Sequence, residues 1–224
     1  MPSNPDAPHD HALLPGATKG IGVALARLRG EHPAGRSEGL VLDLRDHVAA
    51  REAGTDIGTV DHLVLCGSSD VARGLFASLS VEAVAQALHM KLIGYLNAVQ
   101  AVLPQLSEPG SITFVGGAAS RAAMPGTVGL AAVNGALEAV TRTLAREIAP
   151  RRVNPVSPGL TDTEAYAGMP AEAKAALFSD AAAKLPVGRV GQVDDIAAAI
   201  AFVIANPFVT APWCTSMAAL IRAD

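Results

Sequence analysis

Aromatic residues are scarce in this 224-residue chain, at 4% of the total, with two tyrosines and one tryptophan. Stacked bases need rings and phosphate backbones need a cationic face. With 17 Lys+Arg against 21 Asp+Glu, a net charge of −4, the chain supplies neither, and nucleic acid is not an expected partner. Long apolar runs are lacking too. The longest, around Ile196 to Ala205, is about half of the roughly 20 residues a bilayer requires, so no membrane span is expected. Met1 to Asp10 hold Pro, Asp and His where a secretory signal has a positive patch and an apolar core. The two cysteines, Cys66 and Cys214, have no metal-type spacing and cannot build a disulfide framework, which predicts a cytoplasmic chain without a metal site.

What is present is a 50% hydrophobic composition rich in Ala, Val and Leu, enough for one domain over 1–224 with a frayed end at 1–11. Ala12-Leu13-Leu14 reads as a first buried strand, closed by Pro15-Gly16. Further strands are expected at Leu40 to Leu44, Asp61 to Gly67, Ser111 to Val115 and Arg152 to Val156. Between and after them lie helical patterns from Val81 (N-cap Ser80) to about Leu103, from about Gly129 to Ala149, at 171–184 and at 193–205. Alternating strands and helices predict an α/β fold, a single-domain, Rossmann-like, doubly wound parallel sheet. Pro155 sits awkwardly in this scheme, because it removes an N–H from a strand expected to be buried.

Gly16, Gly20 and Gly22 fit a GxxxGxG turn between the first strand and the first helix. Missing side chains there let backbone N–H groups approach a pyrophosphate, and the helix dipole favours the same anion. Arg36-Ser37 follows where the ribose end of a dinucleotide would sit, and a guanidinium there selects a 2′-phosphate. Asp43 is the competing candidate, since a carboxylate at the end of a second strand accepts from the 2′-hydroxyl of NAD.

From Leu13 to Thr210 the chain resembles the short-chain dehydrogenases/reductases. Gly16-Ala17-Thr18-Lys19-Gly20-Ile21-Gly22 is similar to their cofactor turn, Leu42-Asp43-Leu44-Arg45-Asp46 to their adenine-contacting segment, and Arg152 to Gly159 to their sixth strand with its Pro158-Gly159 turn. Leu185 to Ala197 resembles the stretch leading into their last helix. The resemblance implies that Thr161 and Thr163 bond the nicotinamide carboxamide, that Val115 and Gly116 lie beside the cofactor, and that Gly67, Ser68 and Ser69 border its ribose. With Arg36 favouring a 2′-phosphate, the expected cofactor is NADP(H), ahead of NAD(H), and self-association is expected as a dimer or tetramer through the helices at 81–103 and 129–149.

The family's proton-transfer residues do not carry over. Leu130 stands at the Tyr position, Asn134 at the Lys position, Gly117 at the Ser position and Lys91 at the Asn position. Leu130 cannot transfer a proton and Gly117 has no hydroxyl. Lys and Asn have exchanged places, a pattern resembling an atypical subgroup of the family. Lys91 is therefore expected to orient the cofactor ribose and supply the proton, with Asn134 as its hydrogen-bonding partner. Ser120, Arg121 and Tyr166 are further polar candidates near a substrate mouth. The expected function is an NADP(H)-dependent oxidoreductase acting on a small carbonyl or alcohol. The alternatives are a cofactor-binding pseudoenzyme or sensor, and a non-redox catalyst on the same scaffold.

Overall fold

Runs of β-branched and apolar residues bounded by turns become strands covered on both faces, which is why they read as nearly continuous hydrophobic stretches. The computed structural model describes residues 12–14, 20–28, 44–55, 57–67, 71–211 and 216–217. Strands β1 (Ala12–Leu13), β2 (Val60–Leu65), β3 (Leu106–Val115), β4 (Arg152–Pro158) and β7 (Ser216–Met217) form one sheet in the order β1-β2-β3-β4-β7, every pair parallel. A two-residue pair, β5 (Thr161–Asp162) and β6 (Gly191–Gln192), stands apart from it. The α/β class and the doubly wound parallel sheet are as expected.

Side chains alternate across the sheet and separate into two cores. Leu63, Leu65, Ile112, Phe114 and Val153 face one layer, with α4 (Gly94–Val102) and α6 (Val128–Glu147). Val64, Val115 and Val156 face the other, with α1 (Ile21–Leu28) and α8 (Val193–Ala205). The remaining helices are α2 (His47–Thr55), α3 (Val81–Leu88), the single turn α5 (Ala119–Ala122) and α7 (Ala171–Lys184).

Several expected boundaries move. The helix predicted from Val81 to Leu103 starts at Ser80, whose hydroxyl accepts from Ala83 N, but it is not uniformly α-helical. A wide π turn, His89–Ile93, joins α3 to α4. Leu44 lies in a turn and not at a strand end, because Asn97 on α4 donates to its carbonyl at 2.8 Å. The rest of that expected strand, residues 40–43, lies outside the described residues, as do 1–11 and 218–224. Helix α2 was not expected. Asp46 caps it, accepting from Val48 N and Ala49 N at 3.0 and 3.1 Å. It crosses α4 so closely that a Cβ on Gly54 would collide with the Ala101 carbonyl.

Pro155 occupies the interior of β4, opposite Phe114 of β3. Val153 N points away from β3 and bonds Thr210 Oγ1 at 3.2 Å, and two residues along a strand the backbone N faces the same side. That side is turned away from β3 and toward β7, which pairs with β4 at Ser157 and Pro158 among the described residues, so the Pro155 ring removes no hydrogen bond from the β3–β4 ladder.

Arg152, 8% exposed, ties this edge to α8. Its guanidinium donates to Val203 O at 2.7 Å and Ile204 O at 2.8 Å, carbonyls that the end of a helix leaves unsatisfied, and to Val209 O at 3.1 Å in the chain beyond it. Burial lowers its pKa, though a guanidinium stays charged. At the other end of α8, Asp195 accepts from Gln192 N and takes a bidentate pair of bonds from Arg189 at 2.6 and 2.9 Å. These bonds pull the Asp195 carboxyl down to about 2.

Two outcomes follow for stability. Arg152→Met leaves three carbonyls without their cation and should lower urea-unfolding stability by about 3 kcal/mol or more, given that bonds to charged donors are worth roughly 1.5–3 kcal/mol each. A carboxyl depressed in the folded state stabilises at neutral pH, and that contribution fades as pH falls from its unfolded value of about 4 toward about 2. Asp195→Asn should therefore unfold at lower denaturant at pH 7 than the parent. The gap should close in acid titrations followed by circular dichroism.

Candidate active site

The C-terminal ends of parallel strands and the loops that leave them form the crevice where open α/β sheets bind ligands. The described candidate residues gather there. Gly20, with φ +61°, opens α1, followed by Ile21 and a buried Gly22. Gly67 follows β2, and its carbonyl accepts the Tyr95 hydroxyl at 2.7 Å. Val115 ends β3 and Pro158 ends β4, and the Pro158 carbonyl accepts from Ala118 N at 2.8 Å. Buried Thr161 donates to Gly159 O at 3.0 Å, and Thr163 caps the turn Glu164–Tyr166. Gly16, Thr18, Lys19, Arg36, Ser37, Asp43, Ser68 and Ser69 lie outside the described residues.

Lys91 sits within the π turn, a distortion that often marks functional positions in helices. Its side chain is buried beneath the end of β3. The ammonium donates to Asn134 Oδ1 at 3.0 Å and to Gly116 O at 3.2 Å. Asn134 is equally buried, on the face of α6 turned toward the loop after β3. The structure thus brings Lys91 and Asn134 into direct contact, across two helices and a loop.

Gly117 belongs to the same arrangement. A Cβ there would stand 3.0 Å from Asn134 Nδ2, so a side chain at 117 would press on the amide that holds the lysine. Lysine at 91, asparagine at 134 and glycine at 117 are sterically and electrostatically matched. A buried ammonium is costly unless oxygens replace its water, and Gly116 and Asn134 provide them.

Neither tyrosine occupies this centre as a proton donor. Tyr95 is 3% exposed and stacked on Phe114, and burial raises its pKa. Its hydroxyl serves the Gly67 carbonyl. Tyr166 packs edge-on against Phe178 of α7. Burial also pushes the Cys66 thiol, after β2, up to about 12 against the opposing pull of Lys91, which keeps it a neutral packing group.

Glu138 was absent from the sequence candidates. One turn after Asn134 on α6, it accepts from Ser120 Oγ at 2.7 Å, from Ser157 Oγ at 3.3 Å and from the Arg121 guanidinium at 2.9 and 3.0 Å. The Ser120 hydroxyl oxygen also lies 3.2 Å from the Gly117 carbonyl. One carboxylate therefore fastens α5 and the end of β4 to the helix bearing Asn134. The available signal was spacing: a carboxylate four residues after Asn134 shares its helix face.

The described residues fit a dinucleotide. A left-handed glycine opens a helix N-terminus, side-chain-free Gly116 and Gly117 border a buried cation, and Thr161 and Thr163 stand beyond β4. Comparison with known proteins agrees with this geometry. Residues 42–211 match the family model described as enoyl-(acyl carrier protein) reductase. An uncharacterized oxidoreductase of Methylorubrum extorquens is 31% identical, over 91% of this chain and 92% of its own length. A 3-oxoacyl-[acyl-carrier-protein] reductase of Bos taurus is 29% identical over 87% and 91%. Among solved structures, a small-chain dehydrogenase in complex with NADPH superposes with a TM-score of 0.85 at 37% identity, covering 93% of this chain and 95% of its own. A family model matched over residues 42–211, with relatives 31% and 37% identical along nearly the whole chain, places this protein in the short-chain dehydrogenase/reductase family.

Proposed function

We propose that the chain is an NADP(H)-dependent oxidoreductase of a small carbonyl or alcohol, with Lys91 and Asn134 in place of the family's Tyr and Lys. The observation that carries this reading is the buried Lys91–Asn134 contact at the end of β3. NADP(H) is favoured over NAD(H) by Arg36, and by the likeness to a dehydrogenase complexed with NADPH and, at 25% identity, to one from Burkholderia cenocepacia complexed with NADP. Gly16, Thr18, Lys19, Gly20, Ile21 and Gly22 hold the pyrophosphate. Arg36 and Ser37 take the 2′-phosphate, Asp43 the adenine, Gly67 and Ser68 the ribose, and Val115, Pro158, Gly159, Thr161 and Thr163 the nicotinamide end.

A bound nicotinamide supplies or accepts the hydride. Lys91 Nζ gives a proton to the substrate oxygen on reduction and takes it back on oxidation, while Asn134 Oδ1 and Gly116 O hold that nitrogen in place. Glu138 anchors the loop that carries Gly116 and Gly117. The protein works in the cytoplasm as a dimer or tetramer, associating through α3–α4 and α6, where Val81 and Val128 leave apolar surface at the helix starts. A second reading, a cofactor binder or sensor without turnover, is favoured by one observation: leucine and glycine stand at 130 and 117.

Titration with NADPH and NADH, followed by cofactor fluorescence, tests the binding step, and NADPH should bind more tightly. Binding of neither overturns both readings. Arg36→Ala should weaken NADPH by about tenfold or more while leaving NADH unchanged, the loss expected for a charge-assisted contact. Across a panel of small carbonyls, Lys91→Met should lower kcat by roughly 10²-fold or more with NADPH binding retained, the usual scale of a general acid. Full activity in that variant would remove Lys91 from the chemistry.

A further inference from the structure

The connection from β4 to α7 carries a negative charge to the far side of the crevice. Thr163 caps its single helical turn, its hydroxyl accepting from Ala165 N at 3.3 Å. From that turn the exposed side chain of Glu164 reaches Gly20, and Oε2 lies 3.1 Å from the point a Cβ on Gly20 would occupy. Behind it Asp162 pairs with Lys174 of α7 at 2.7 Å. Ahead of it Tyr166 meets Phe178 with ring centres 5.3 Å apart, and the Arg73 guanidinium lies 6.0 Å from the Tyr166 ring centre.

Strand order gives this contact its meaning. Between the end of β4 and the turn after β1 lie the ends of β3 and β2, three inter-strand spacings or about 14 Å. A segment that leaves β4 and touches Gly20 has therefore crossed the crevice. Asp162–Lys174 and Tyr166–Phe178 fasten it to α7 on one side, and Glu164 on Gly20 and Tyr166 against Arg73 close it on the other. Gly20 has φ +61° and opens an α-helix, where the absence of a Cβ and the positive end of the helix dipole both suit an anion. The anion against it here is a side chain of the protein.

Resting on the cofactor reading above, we infer that Glu164 competes with the dinucleotide pyrophosphate for the Gly20 turn. Both groups are anionic and both need the space that glycine leaves open. Binding of the dinucleotide then requires the strap 163–169 to withdraw its carboxylate, so Glu164 sets cofactor affinity from within the chain. The same movement releases Tyr166 from Arg73, coupling cofactor entry to the segment nearest the substrate mouth.

The test is calorimetric titration of the wild type, Glu164→Gln and Glu164→Ala with two probes. NADPH carries the pyrophosphate, whereas adenosine 2′-monophosphate carries the ribose phosphate and no pyrophosphate. Both variants should bind NADPH roughly five- to tenfold more tightly than the wild type, the scale for removing one like charge at partly screened contact distance. All three proteins should bind the monophosphate alike. Equal or weaker NADPH binding in the variants overturns the inference, and so does an equal gain for both probes, which would place the effect away from the pyrophosphate. If none of the three proteins binds NADPH, the cofactor reading itself fails and the competition with it.

Discussion

A positive charge placed under the rim of a parallel sheet has to be met by oxygen, and much of this site is arranged to meet the one on Lys91. Among those that do so are one from the backbone after β3 and one from the amide of Asn134. Each demands something further of the fold. The loop after β3 must carry no side chain at 117, where a Cβ would press on Asn134. Helix α6 must come close enough to offer its amide, and near its start it packs so tightly that a Cβ on Gly129 would collide with Ala72. The π turn places the lysine where the ammonium reaches the gap. Remove any of these and a buried charge loses its compensation, a cost that ordinary packing does not recover.

The two faces of the sheet divide the work. The α4/α6 layer supplies the buried pair and most of the large apolar core. The α1/α8 layer supplies the glycine turn at its head and is tied to β4 by Arg152, which gathers carbonyls from the end of α8 and from the chain beyond it. Arg152 and Pro155 belong to one solution. On the side of β4 turned away from β3, side chains of Arg152, Asn154 and Thr210 bond between β4 and the chain after α8, and a proline there removes no hydrogen bond from the β3–β4 ladder.

Much of this architecture was legible in the sequence because it rests on local signals: apolar runs closed by glycine, Ser80 before a helical pattern, the Pro158-Gly159 turn. The Lys91–Asn134 contact was legible for a different reason. Once the order of strands places two long helices side by side, exchanged residues at matching positions can meet. Helix α2 escaped because its apolar pattern is weak, although Asp46 announced its cap. Leu44 was misplaced because a side chain from α4, Asn97, decides its conformation. Glu138 and Glu164 read as ordinary surface carboxylates. Their partners, Ser157 for one and Gly20 for the other, lie on distant segments that only the folded sheet brings near.

Glu138 also changes what the rim can recognise. Arg121 projects from α5 beside the loop of Gly116 and Gly117, where a guanidinium would ordinarily invite an acidic ligand. Two of its nitrogens are already committed to the Glu138 carboxylate, and that carboxylate is only 12% exposed. A molecule approaching this part of the crevice would therefore meet a neutralised pair in place of a lone guanidinium.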